Sequence, residues 1–273
     1  MTARPPGRPT AFLSAAGHRL EYRWIEPARP GLASLVFLHE ALGSLALWRD
    51  FPDRVAERTG CGALAYSRHG LGRSDPLAEL RPDDYLEREA REALPRVLAA
   101  RGIENPILIG HSDGATIALI HAAEGRWPVR GLVLEAPHVM VEDVTIRGVE
   151  QARAAYRSGS WREKLAPHHR DVDATFAGWA DVWLRPSFRS WSIVPRLPLV
   201  TCPVLLIQGD SDRYGTVAQV ETIRDGVCGP VEMLVLPECG HAPHVQRAGE
   251  VLDAVVGFVG RFATGSTDAR NSR

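Results

Sequence analysis

From Leu32 onward, short apolar runs alternate along the chain with longer segments whose apolar residues recur at helical spacing. The runs are LASLVFLH (32–39), GALAYS (62–67), NPILIGHS (105–112), RGLVLEAP (130–137), CPVLLIQG (202–209) and VEMLVLPE (231–238). Between them the pattern predicts helices near 46–59, 83–101, 114–124, 216–226 and 247–262. Such alternation predicts an α/β fold: a mainly parallel, doubly wound sheet covered by helices. Ahead of it, AFLSAAG and HRLEYRWIE predict an antiparallel hairpin turning at Gly17.

The alternation breaks once. Between Val139 and Leu199 there are short helical patterns, many charges and four tryptophans, Trp161, Trp179, Trp183 and Trp191. A helical insertion placed after a strand lies over the carboxyl edge of the sheet, where open α/β folds bind ligands. The expected organisation is therefore a core of 10–139 and 200–262 with a helical cap at 140–199. Trp179 and Trp183 are four apart and share a helix face. They either line a pocket beneath the cap or form the cap's own core. The ends, 1–9 and 263–273, have the proline-rich or polar composition of disordered tails.

Composition narrows the function classes. The chain has 273 residues, 45% hydrophobic and 24% charged, with a formal net charge of -1. A chain of that length buries a large core without disulfide staples. Its charge creates no field that would recruit nucleic acid or an anionic membrane, and the arginines in EREAREALPR alternate with acids as on a solvated helix face. No run is long and apolar enough to span a bilayer, and MTARPPGRPT has no secretory apolar region. Cys61, Cys202, Cys228 and Cys239 show no metal-ligand spacing and are expected as buried thiols in a reducing compartment. The expected location is the cytoplasm. His168 and His169 lack companion ligands at helical spacing and are expected in an exposed loop, so no metal site is expected.

The chemistry concentrates at ILIGHSDGATIAL, residues 107–119. Gly110-His111-Ser112-Asp113-Gly114 fits G-x-S-x-G between a predicted strand and a predicted helix. The turn leaves no room for side chains at its two glycines and projects a strained serine at a helix N-terminus, where developing negative charge is favoured. A serine nucleophile needs a base and an orienting acid. LPECGHAPH places His241 just after the last strand, and LIQGDSD places Asp210 and Asp212 after the preceding one. Either aspartate fits that position, with Glu135 and Asp143 as more distant alternatives; Asp210 also suits a turn bonded to its own loop.

These segments resemble the α/β-hydrolases, over about residues 11 to 262. In that family a glycine precedes the triad acid by three positions, as Gly209 precedes Asp212. The resemblance thus implies the triad Ser112, Asp212 and His241. FLHEALGS (37–44) is similar to the family's oxyanion loop and implies backbone N–H donors at Ala41 and Asp113, although Glu40 stands where the family carries glycine. SRHGLGRSDP (67–76) is similar to its R-G-x-G-x-S brace, which gives Arg68 and His69 structural roles. The insertion corresponds to the family's cap, with Glu40, His138, Val139, Trp179 and Trp183 as pocket candidates. His244 is expected at a helix cap or facing solvent.

Two acids beside the expected oxyanion hole need explanation. Asp113 either stabilises the first turn of its helix or leans into the pocket; His111 and His138 are candidate partners for it and Glu40. The expected function is a serine hydrolase acting through an acyl-enzyme on a small ester, enol-lactone or thioester, with a small-molecule carbonyl substrate and no cofactor. The alternatives are hydrolysis of a C–C bond in a ring-cleavage diketone, a haloperoxidase-like activity, and a small-molecule receptor on the same fold. A cap and an exposed edge strand leave room for a homodimer.

Overall fold

The structure is a computed structural model that describes residues 11–264. Eight strands form one sheet: β1 (Ala11–Ala15), β2 (His18–Ile25), β3 (Leu35–Leu38), β4 (Ala63–Tyr66), β5 (Ile107–His111), β6 (Gly131–Glu135), β7 (Val204–Gly209) and β8 (Val231–Leu236). Their order is β1-β2-β4-β3-β5-β6-β7-β8; the β1–β2 and β2–β4 pairs are antiparallel and every later pair is parallel. The helices are α1 (Phe51–Thr59), α2 (Tyr85–Arg88), α3 (Leu94–Ala100), α4 (Asp113–Ala123), α5 (Asp143–Arg157), α6 (Ser160–Leu165), α7 (Val172–Trp183), α8 (Val217–Gly226), α9 (Pro243–Gln246) and α10 (Ala248–Phe262).

The uninterrupted apolar runs follow from burial on both faces. Successive side chains in β3 alternate sides, so Leu35 and Phe37 join α1 and α10 while Val36 and Leu38 join α2 to α4 and α8. The same division repeats in β5, where Ile107 and Ile109 face one layer and Leu108 the other.

Two expected helices are interrupted. The one near 46–59 is a 3-10 turn over Leu45–Trp48 and then α1, separated at Arg49, whose φ is 54°. Pro52 sits in the first turn of α1, where its missing N–H costs nothing. The helix near 83–101 begins at Tyr85 and widens into a π-turn over Glu89–Ala93, just before Pro95. Proline gives no N–H to the preceding turn and its ring needs room there, which the wider turn supplies.

Between β6 and β7 stand α5, α6 and α7 with three 3-10 turns, tied to the end of β6 by a bridge from Met140 to Ser192. Beyond α10, Ala263 is buried and its carbonyl accepts from Ala33 N–H at 2.9 Å, while Thr264 bridges to Leu32. The described fold therefore includes 263–264 of the expected tail at 263–273; the rest of that tail and the expected tail at 1–9 lie outside the described residues. Cys61 and Cys239 are buried, Cys202 is half-buried, and Cys228 is exposed, contrary to expectation; its N–H and that of Gly229 are tied to Val200 O on a surface turn. Among the described residues no helix is long and apolar enough to cross a membrane.

Candidate active site

At the end of β5 the chain turns sharply into α4 with Ser112 at φ 52° and ψ -116°. That conformation is strained for any L-residue, and neighbouring backbone maintains it: Ser112 N–H donates to Glu135 O at 2.8 Å, and Ser112 O accepts from Thr116 N–H at 3.0 Å. The glycines are sterically required. A Cβ at Gly114 would lie 1.9 Å from Leu38 O, and one at Gly110 would lie 2.4 Å from Gly114 O.

The structure brings Ser112, His241 and Asp212 together. Ser112 Oγ lies 2.9 Å from His241 Nε2, and His241 Nδ1 lies 2.7 Å from Asp212 Oδ2. Asp212 also accepts from Tyr214 N–H at 2.8 Å and from Gln208 Nε2 at 3.0 Å. Burial alone would raise its carboxyl, but the charge and hydrogen bond of His241 and the Tyr214 N–H outweigh it and hold the group down at about 2. It is therefore a carboxylate at neutral pH. Asp210 is exposed and accepts from Glu238 N–H and Ser211 Oγ, a loop turn away from His241. Glu135 is fully buried and accepts from both the backbone N–H and Nδ1 of His244, while Asp143 pairs with Arg189 on the surface. His244 is thus neither solvent-facing nor a helix cap; Trp48 and Phe51 pack on its ring.

The oxyanion-type loop is held from behind. Glu40 O accepts from His39 Nδ1 at 2.7 Å, from Arg68 Nη2 at 3.1 Å and from Gly43 N–H at 3.0 Å. The Ala41 N–H belongs to the same planar trans peptide, so it points the opposite way from that carbonyl. Ala41 lies on the cavity wall, as does Asp113, whose own N–H heads α4 without an intrahelical acceptor. His39 accepts the Arg68 N–H on Nε2 at 3.0 Å, which leaves its proton on Nδ1. Burial, with Arg68 nearby, lowers its pKa to about 3 and keeps it neutral.

The two puzzling acids have different partners. Asp113 is buried; its Oδ2 accepts from Tyr85 Oη at 2.7 Å and lies 3.5 Å from Arg68 Nη2. Burial pushes its carboxyl up, against the pull of Arg68 and Tyr85. Its Oδ2 is thus engaged by Tyr85 and Arg68, and neither His111 nor His138 is its partner. Tyr85, which no local sequence signal marks, in turn accepts from Trp183 Nε1 at 3.0 Å. Glu40 does pair with His111, Oε2 to Nδ1 at 3.3 Å, while His111 Nε2 lies 2.6 Å from His241 O. Both ring nitrogens of His111 face acceptors, which a neutral imidazole cannot satisfy together. Burial opposes its charge, but Glu40, Glu135 and the His241 carbonyl override that and raise the pKa to about 9. Conversely, burial would raise Glu40, and His111 instead holds it well below the usual carboxylate range.

Over Ser112 lies a cavity of about 230 Å³ whose wall includes Glu40, Leu42, Leu47, His138, Thr145, Val149, Trp161, Leu165, Trp179, Trp183 and Tyr214. Four of the five expected pocket residues are there. Val139 is not: it is wholly buried, its N–H donating to Gln219 Oε1 and its carbonyl accepting from Ile193 N–H. His138 Nδ1 has no hydrogen-bond partner, and burial, with His241 nearby, lowers its pKa to about 4. His169 is also buried, accepting from Gly72 N–H on Nδ1 and donating from Nε2 to Leu42 O, so it joins the insertion to the oxyanion-type loop instead of lying exposed. Among the described residues no group of three or more His, Cys, Asp or Glu is arranged to hold a metal ion.

Residues 35–254 match the alpha/beta hydrolase family, and the chain belongs to that family. The serine hydrolase BPHL of Mus musculus is 27% identical over 209 residues, 72% of this chain and 68% of that protein. The 2-succinyl-6-hydroxy-2,4-cyclohexadiene-1-carboxylate synthase of Salmonella typhimurium is 29% identical over 175 residues, 63% of this chain and 62% of that protein. The enol-lactonase from Burkholderia xenovorans LB400 superposes with a TM-score of 0.73 at 16% identity, covering 91% of this chain and 99% of that one. At that identity the likeness is one of fold.

Proposed function

We propose that this protein is a serine hydrolase that cleaves a small ester, enol-lactone or thioester through an acyl-enzyme. The observation that carries this is the unbroken Ser112–His241–Asp212 hydrogen-bond chain at the strained corner. Ser112 Oγ attacks the carbonyl carbon and its proton passes to His241 Nε2. The N–H groups of Ala41 and Asp113 donate to the carbonyl oxygen as it becomes negative. Asp212 holds the tautomer of His241 that accepts this proton. His241 then returns the proton to the departing alcohol or thiol, and water, deprotonated by His241, releases the acid and regenerates Ser112. The helices between β6 and β7 act as a cap that keeps bulk water from the cavity.

A fluorophosphonate probe combined with a p-nitrophenyl ester assay tests this. Ser112 is expected to be labelled, with repeated turnover, and Ser112→Ala to lose both labelling and at least about 10⁴-fold in kcat. Labelling that persists in Ser112→Ala removes Ser112 as the nucleophile. Labelling without turnover would instead favour a ligand receptor.

A further inference from the structure

Among the described residues, the cavity wall carries no lysine and no arginine. Its charged groups are paired, Glu40 with His111, Asp113 with Arg68 and Tyr85, and His241 with Asp212, while His138 Nδ1 and Asp113 Oδ1 have no hydrogen-bond partner. His138, the remaining imidazole on the wall, is buried beside Trp183 at 5.3 Å between ring centroids. A charged group brought into this space leaves its water shell and finds no counter-charge to receive it. A cation fares no better than an anion, because the Glu40 carboxylate that would attract it is engaged by His111.

What the wall offers instead is flat apolar surface. Trp161 and Leu165 from α6, Trp179 and Trp183 from α7, and Tyr214 after β7 surround the space above Ser112. The Tyr214 ring stands 6.0 Å from Trp179 and 4.8 Å from His241. Edge and face contacts of that kind suit an aromatic ring. The volume of about 230 Å³ lies below the roughly 300 Å³ at which sites for drug-sized ligands begin. It admits a single ring for the group held inside it.

From this geometry we infer that the substrate group held beneath the helices is an uncharged, single-ring aromatic acyl group. The inference rests on the serine-hydrolase reading and narrows its substrate class. It also separates this chain from the Salmonella relative, whose name specifies a carboxylate product.

Three p-nitrophenyl esters with one leaving group test it: the benzoate, the 4-carboxybenzoate and the 4-trimethylammoniobenzoate. The benzoate is expected to exceed both charged esters in kcat/KM by at least about 100-fold, a difference of about 2.7 kcal/mol in transition-state binding. Leu165→Arg places a cation on the wall in a helix with no buried residues, away from Ser112. It is expected to raise the ratio of 4-carboxybenzoate to benzoate turnover at least about tenfold. A charged ester turned over within tenfold of the benzoate by the wild type overturns the inference, as does an unchanged ratio in a folded Leu165→Arg. Fluorophosphonate labelling of Ser112 in the same preparation separates the two failures. If Ser112 is not labelled, the hydrolase reading itself has failed; if it is labelled and the charged esters are accepted, only the substrate class has.

Discussion

Tyr85 Oη donates to Asp113 Oδ2 at 2.7 Å while accepting from Trp183 Nε1 at 3.0 Å, so one hydroxyl joins α7 to the residue beside Ser112. Arg68 extends the connection, 3.5 Å from Asp113 and in hydrogen-bond contact with the carbonyls of His39 and Glu40. The position of the inserted helices is thus linked to the loop that carries Ala41 at the cavity wall.

Tyr85→Phe keeps the ring and removes the hydroxyl, leaving a buried indole N–H and a buried carboxylate oxygen short of a partner. Each such loss costs about 1–3 kcal/mol, so the unfolding midpoint is expected to fall measurably. Trp183→Phe removes the neighbouring bond of the same chain. In a double-mutant cycle the pair is expected to be non-additive by about 0.5 kcal/mol or more, and kcat to fall by a larger factor than KM rises. Additive effects, or a change in KM alone, would show that the chain does not position the Glu40–Ala41 loop.

The acid of the hydrogen-bond chain is tested by two neighbouring substitutions. Asp212→Asn presents His241 Nδ1 with an amide and is expected to lower kcat by roughly three to four orders of magnitude. Asp210→Asn keeps an acceptor for Glu238 N–H on an exposed turn and is expected to change stability by no more than about 0.5 kcal/mol, with kcat nearly unchanged. Steady-state kinetics of the two variants decide the matter. The reverse order of losses would transfer the role to Asp210.

What local sequence carries, and what it does not, follows from the range of the forces involved. The corner at Ser112 is legible because steric exclusion by Leu38 O and Ala115 forces glycine at two fixed positions beside it. The strands are legible because burial on both faces demands unbroken apolar runs. The partner of Asp113 is not legible: Tyr85 lies 28 residues upstream, and no periodicity marks a tyrosine that will meet an aspartate across two elements. Glu135 and His244 are 109 positions apart, and each alone resembles an ordinary surface polar residue. Val139 is buried because Gln219 of α8 and Ile193 hold its backbone in the interior, partners that no local pattern marks. The burial of His169 is not legible locally, because its acceptor and donor, Leu42 O and Gly72 N–H, belong to loops far away in the chain.

The pairing of His111 with Glu40 makes stability depend on pH in a direction that its geometry dictates. The folded protein raises the His111 pKa from 6.5 to about 9, so the charged form is favoured by folding. Its contribution is fully present below the unfolded value and declines as pH rises, being lost once pH passes the folded value. The full contribution is on the order of 3 kcal/mol. Glu40 acts in the opposite sense: its folded pKa is depressed, so its contribution is present above its unfolded value of 4.5 and is lost as pH falls through the lower folded value. Thermal unfolding of the wild type and His111→Asn, followed from about pH 6 to about pH 10, is expected to show the widest gap at the acid end. The gap should narrow steadily between the unfolded value of 6.5 and about pH 9, because the unfolded chain has already lost the proton that the folded His111 holds, and then level off. A gap that stays constant across that range would mean that His111 is neutral throughout, and that the carbonyl of His241 and the carboxylate of Glu40 are held by something other than its two N–H groups.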